Sequence, residues 1–155
     1  MKSTIKIPMK QIAMLVALLF ATTAFSQTPV EKAKGEMKEM FGVVPAFFNV
    51  FPEHALPGVW EYFKQMSSPD AKIPPKYREL LQLAVAAQIP CQYCVYFHTA
   101  AAKANGATDD EVREAIAQGA ATRHWSMILQ GNQIDYNTFK AEVDQIMKHM
   151  SAQKP

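Results

Sequence analysis

From Thr28 onward, apolar residues recur at spacings of three and four, in blocks closed off by proline and glycine. No stretch of any length alternates apolar and polar residues as a strand would. Thr28-Pro29 supplies an N-cap and a proline at the first helical position, and predicts a helix to about Phe41, before Gly42. Residues 44–51 form a short aromatic segment among prolines. Residues 57–66 predict a second helix, stopped by Ser67-Ser68-Pro69. Pro74-Pro75 opens the next, which passes through Glu79 to about Gln88 and is broken at Pro90. Another holds Cys91 to Ala104 and ends at Asn105-Gly106. Thr108-Asp-Asp-Glu111 is a capping box with acids in the first turn, and opens a long helix to Gln130, ended by Gly131. The last helix runs from about Tyr136 to Met150. The expected fold is all-α, a bundle of five to six helices, without repeats or a domain-sized linker.

Composition narrows the class. A chain of 155 residues suits one domain with a real core, and 49% hydrophobic residues exclude a disordered one. Two cysteines are too few for a disulfide scaffold. A net charge of +2 and no basic cluster with interleaved aromatics leave no nucleic-acid footprint. The charge itself is unevenly placed. Lys2, Lys6 and Lys10 precede a short apolar run, Gln11 to Phe20, and then small residues at Ala24 and Ser26. That order is a secretory signal peptide, expected over residues 1–26 with cleavage after Ser26. The run is short for a bilayer, no positive stop-transfer cluster follows, and no cysteine at the cleavage point offers a lipid anchor. The competing reading is an uncleaved N-terminal anchor. Residues 27–155 are then expected to form a single mature domain, periplasmic, with no stable membrane anchor. It keeps thirteen bases against fourteen acids, a net charge of −1.

The chemistry concentrates in Cys91-Gln-Tyr-Cys94-Val-Tyr-Phe-His98, which holds both cysteines. On a helix, Cys91, Cys94 and His98 fall within about 60° of one another. Cys94 and His98 are an i,i+4 pair, so an imidazole can reach the second thiol. Cys91 lies at the positive helix end, which favours a thiolate. Glu79 and His98 are equidistant from the turn near residues 88–90. An antiparallel helix pair therefore sets them at the same height, in contact directly or through water. Leu80, Leu83 and Ala86 make the surroundings of Glu79 apolar and suited to proton transfer.

Several chemistries compete for these side chains. Val95 follows the second cysteine where c-type haem attachment needs histidine. No strand precedes Cys91, as a thioredoxin-like fold would require. Zinc could use Cys91, Cys94, His98 and Glu79, though three of the four share one helix. A purely structural bridge over two residues closes a tiny loop and gains little chain entropy. A redox-active dithiol is the leading reading, and in an oxidising compartment it is expected as the disulfide.

Glu79, then Cys91-x-Tyr-Cys94 twelve residues later, then His98, resembles the alkylhydroperoxidase AhpD-like branch of the carboxymuconolactone decarboxylase family. Tyr77-Arg-Glu-Leu-Leu-Gln-Leu-Ala-Val-Ala-Ala87, Phe97 to Val112 and Gly42-Val-Val-Pro-Ala-Phe-Phe48 extend the resemblance over roughly residues 41–130. It implies an all-α fold, homo-oligomers (trimers or hexamers) and thiol-dependent reduction of hydroperoxides. It implies further that Cys94 attacks peroxide, Cys91 resolves it, His98 takes the Cys94 proton and Glu79 relays it. No cofactor is called for beyond this pair and an external dithiol reductant, whose identity the resemblance leaves open. A decarboxylase role fits poorly, because that branch does not use the cysteine pair. Two departures stand out. Tyr93 occupies the place where the best-known members carry histidine, and a phenol is no base near neutral pH. The family's usual reducing partners are also cytosolic, whereas this chain looks exported.

Other residues have plainer expectations. His54 and His149 are expected at the surface. Arg123-His124-Trp125 could serve the site or an interface. Phe47, Phe48, Phe51, Trp60, Tyr62 and Phe63 are expected as core more than as a pocket lining. The many large apolar residues also fit an oligomer interface.

Overall fold

In the computed structural model residues 27–153 are described, so the expected signal peptide and its cleavage site lie outside the described residues. Six α-helices and one short 3-10 helix occur among them, with no strand. The helices are α1 (Pro29–Phe41), α2 (Leu56–Met66), α3 (Pro75–Gln88), α4 (Gln92–Ala104), α5 (Asp109–Gly131) and α6 (Tyr136–Ala152), and the 3-10 helix spans Ala46–Val50. The fold is all-α, with helix ends within two residues of those read from proline, glycine and caps. None of these helices is long and apolar enough to cross a membrane. The chain divides after Ser68 into two compact units.

The first unit is built from α1, the 3-10 helix and α2. At the start of α1 the Glu31 backbone N–H donates to Thr28 Oγ1 at 3.2 Å, and the Thr28 N–H donates to Glu31 Oε2 at 2.8 Å. These bonds satisfy two donors that a helix start leaves orphaned. Gly42 ends α1 with φ 75°, a left-handed cap that favours glycine. Ala33, Met37, Phe48, Leu56 and Trp60 form the core, with Phe63 against it. The aromatic segment is therefore split: Phe48, Trp60 and Phe63 pack inward, while Phe47, Phe51 and Tyr62 are exposed. A 3-10 turn turns neighbouring side chains in different directions, so one short run cannot bury them all.

A polar network closes this unit. Trp60 Nε1 donates to Glu36 Oε2 at 2.7 Å, and Lys64 Nζ reaches the same oxygen at 2.6 Å. The Lys64 ammonium and then the Trp60 indole hold the Glu36 carboxyl below the usual carboxylate range. Glu36 and then Glu61 hold Lys64 above its ordinary value. The Glu36 contribution to stability is complete above the unfolded carboxylate value and is lost as pH falls through the depressed folded one. The Lys64 contribution is complete below the ordinary lysine value and is lost as pH rises through the raised one. The Trp60 fluorescence melt, followed in a Trp125→Phe variant, should be flat from about pH 5 to about pH 10 and decline on both sides. A Glu36→Gln variant should have a shallower acid limb, the rest being carried by other hydrogen-bonded carboxylates such as Glu31; an unchanged limb in that variant would refute the assignment.

The second unit rests on α3, α4 and α5. Its core is Leu80, Leu83, Ala102 and Val112, with Val95, Ala107 and Ala115 packed against it. Pro75 starts α3 where a missing N–H costs nothing. A tight turn then reverses the chain into α4, with the Cys91 N–H donating to Ala86 O at 3.0 Å. At the start of α5, Thr108 and Glu111 form a second capping box, and Lys76 Nζ meets Glu111 Oε1 at 2.7 Å. Thr108→Ala is expected to cost about 1 kcal/mol in thermal or urea unfolding. A change within error would mean that packing alone holds this helix start.

Farther along, Gly119 passes Ala84 so closely that an added Cβ would stand 3.4 Å from the Ala84 Cβ. The pairs 76–111 and 84–119 share one offset, so α5 runs parallel to α3. Residues 124–131 then extend about 12 Å past the last residue of α3. Arg123, His124 and Trp125 lie at the root of this overhang and are exposed. α5 ends at Gly131, one residue beyond the expected end, and Asn132 caps it by donating its side-chain amide to Ile128 O at 2.8 Å.

Candidate functional site: a disulfide and a histidine–carboxylate pair

Cys91 is the N-cap of α4 rather than its first helical residue. Its backbone is extended, and its Sγ accepts the Cys94 N–H at 3.2 Å. The sulfur thus occupies the position that a serine or aspartate oxygen usually takes, against the orphaned donors of a helix start. Cys94 lies in the first turn. The two sulfurs are joined in a disulfide, with Cα atoms 5.3 Å apart.

His98 stands one turn beyond Cys94 on α4, and Glu79 sits on α3. The antiparallel pairing brings them into direct contact, His98 Nδ1 to Glu79 Oε2 at 2.8 Å, with no water between. Their side chains are 17% and 19% exposed, so both are largely withdrawn from solvent. Against an ionised carboxylate, Nδ1 must carry the proton. Nε2 is then the ring nitrogen left with a lone pair, on the residue i+4 from Cys94. One ring nitrogen of His98 is thus held by a carboxylate, and the other is on the residue one turn beyond Cys94.

Phe97 adds a contact that the sequence did not reveal. Its ring stands edge-on to the His98 imidazole, centroids 5.2 Å apart. Adjacent helical residues diverge by about 100°, so spacing rules gave no sign of this pair. Tyr93 projects into solvent, 80% exposed, where the resemblance called for histidine. His54, His124 and His149 are exposed and contribute nothing to this cluster. Among the described residues no group of three or more His, Cys, Asp or Glu side chains is arranged to hold a metal ion. Sulfurs bonded to each other are not the thiolates that zinc binds.

The family model for the carboxymuconolactone decarboxylase family matches residues 54–133, a span that includes Glu79, Cys91, Cys94 and His98. The chain belongs to the carboxymuconolactone decarboxylase family. In kind, that makes it an enzyme of the peroxidase or decarboxylase type. Among solved structures it is similar to the alkylhydroperoxidase AhpD core from Rhodospirillum rubrum ATCC 11170, with a TM-score of 0.61 and 22% identity. That match covers 86% of this chain and 93% of the other. At that identity the likeness speaks for the fold, which is AhpD-like. No curated protein matches the sequence.

Proposed function

We propose that this family member is an exported thiol-dependent peroxidase that reduces hydroperoxides through Cys94 and Cys91. The observation that carries the reading is the 2.8 Å contact of Glu79 with His98, on the residue one turn from Cys94. A structural disulfide has no use for an oriented base. In the reduced enzyme, His98 Nε2 takes the Cys94 proton and Glu79 stabilises the imidazolium so formed. The Cys94 thiolate attacks the terminal peroxide oxygen. The O–O bond breaks, the alcohol leaves with a proton, and Cys94 becomes a sulfenic acid. The Cys91 sulfur attacks the Cys94 sulfur, water departs, and the disulfide forms. An external dithiol reduces it by thiol–disulfide exchange, and the cycle closes with no other cofactor. The setting is the periplasm after removal of residues 1–26, and the enzyme works as a homo-oligomer, a trimer or hexamer, with a dithiol protein as reductant.

The test is stopped-flow mixing of the pre-reduced mature protein with hydrogen peroxide or an alkyl hydroperoxide. One peroxide should be consumed and one disulfide formed per chain. Peroxide that persists while the dithiol stays reduced would sink the reading. Tyr93 in place of histidine favours a second one, an exported thiol–disulfide exchange protein without peroxidase activity. In that case the protein would exchange disulfides with a reduced or oxidised partner but leave peroxide untouched.

A further inference from the structure

Glu79 and His98 manage the proton of the reaction. Holding the O–O bond in line with the attacking sulfur, and meeting the charge that builds on the departing oxygen, is a separate requirement. Gln82, one turn along α3 from Glu79, stands where it can fill that need.

The 2.8 Å contact of Glu79 with His98 fixes the register of α3 against α4. Counting three residues from each toward the turn pairs Gln82 with Val95, so Gln82 stands within one residue's rise, about 1.5 Å, of Cys94. Rotation puts the two on one face. On α3, Glu79 faces α4, and Ala84 faces α5, where it meets Gly119. Gln82 is about 60° round from Glu79, in the sense that leads away from Ala84. On α4, Val95 and Ala102 belong to the core shared with Val112 of α5. Cys94 is about 40° round from His98, in the sense that leads away from them. Both side chains therefore open onto the face of the helix pair that α5 leaves uncovered. For helix axes about 9 Å apart, their Cβ atoms come within about 6 Å of each other. A hydroperoxide fits between an amide and a sulfur at that spacing.

The Gln82 amide is also available. The residue is exposed, and one N–H of its amide donates to Arg78 O of its own helix at 3.3 Å. That bond is long and open to solvent, so a substrate oxygen competes with it at little cost, and the second N–H remains for a ligand.

We propose that Gln82 is a substrate-binding residue of the peroxidase reaction described above, on which the inference rests. Its amide N–H donates to the oxygen that carries the alkyl group, while the Cys94 thiolate attacks the terminal oxygen. As the O–O bond breaks, its electron pair stays on the alkyl-bearing oxygen, and the amide bond to that oxygen strengthens. The amide gives up no proton. The departing alkoxide takes back from the His98 imidazolium the proton that Cys94 had lost, so atoms and charges balance as before.

The test compares Gln82→Met and Gln82→Glu with wild type. The site is exposed, so both variants should keep their helix content by circular dichroism. Gln82→Met keeps the length and loses the donor, and its kcat/KM for an alkyl hydroperoxide should fall about tenfold. Iodoacetamide should alkylate the reduced variant as fast as wild type, because the amide acts on the substrate and not on the thiol. Gln82→Glu sets a carboxylate against the developing alkoxide, and near neutral pH should fall below the methionine variant. A Gln82→Met or Gln82→Glu rate equal to wild type would overturn the assignment. So would a fall matched in the alkylation assay, which would mark a packing role. Wild-type protein that leaves peroxide untouched would remove the peroxidase reading and this inference together, whereas an active wild type equalled by Gln82→Met removes this inference alone.

Discussion

Cys94→Ser is expected to reduce peroxide consumption to the uncatalysed background, while the protein remains folded. A serine hydroxyl is not appreciably ionised near neutral pH, whereas a thiol already supplies a few per cent of the far more nucleophilic thiolate. Removing the disulfide from the native state costs little, because its loop closes over only two intervening residues. Loss of activity with an unchanged melting temperature would therefore mark a chemical defect. Cys91→Ser should behave differently. Its Cys94 should still consume one peroxide per chain, but the sulfenic acid, with no resolving thiol, should persist and pass to sulfinic acid under excess peroxide. Mass spectrometry distinguishes the two fates. If Cys94→Ser consumes peroxide and Cys91→Ser does not, the roles of the sulfurs are reversed, and the N-cap sulfur is the nucleophile.

The second large effect belongs to the carboxylate. Glu79→Gln keeps an oxygen that can accept from His98 Nδ1, so the ring should stay in place. What disappears is the negative charge that stabilises the imidazolium after His98 takes the Cys94 proton. A fall of about 100-fold in the peroxide rate is expected, the lower end of what an oriented general base contributes. Reduced Glu79→Gln should also be alkylated by iodoacetamide more slowly than wild type near neutral pH, with the two rates converging at high pH. That readout separates a role in proton transfer from a packing role, which would leave alkylation unchanged. Equal rates in both assays would remove Glu79 from the mechanism and leave the 2.8 Å contact as a structural bond alone.

Much of this architecture could be read along the chain, because its signals are local. Thr28 announces a helix start as an N-cap before Pro29, and Thr108 does so through a capping box closed within four residues. Pro75, Pro90 and Gly42 act through their own backbone restrictions. The pairing of Glu79 with His98 was legible for a related reason. A short turn between two helices forces them antiparallel, and counting residues from the turn then gives the height of each side chain. The exceptions are instructive. Gly131 was expected just past the end of α5 and is instead its last residue, with Asn132 as the cap. The run Phe47–Phe48–Phe51 looked uniformly apolar, yet only Phe48 is buried, because composition does not say which way a short 3-10 helix faces its neighbours.

Two things were out of reach of any local signal. One is the edge-on contact of Phe97 with His98, which depends on the rotamer each side chain takes once α4 is packed. The other is that α6 is left uncovered, with none of its residues buried. The apolar stripe of α6 is visible in the sequence, but a stripe reads the same whether it will be buried or left open. The sequence by itself determined the helices, their caps, the cysteine spacing and the height of the carboxylate beside the histidine, since all of these follow from short-range geometry and counting. Only the tertiary structure decided that Nδ1 of His98 is the nitrogen held by Glu79, that the Cys91 sulfur caps α4, and which apolar faces remain uncovered. Those depend on helix rotation and on packing between segments far apart in the chain, where small differences in side-chain shape outweigh any local preference.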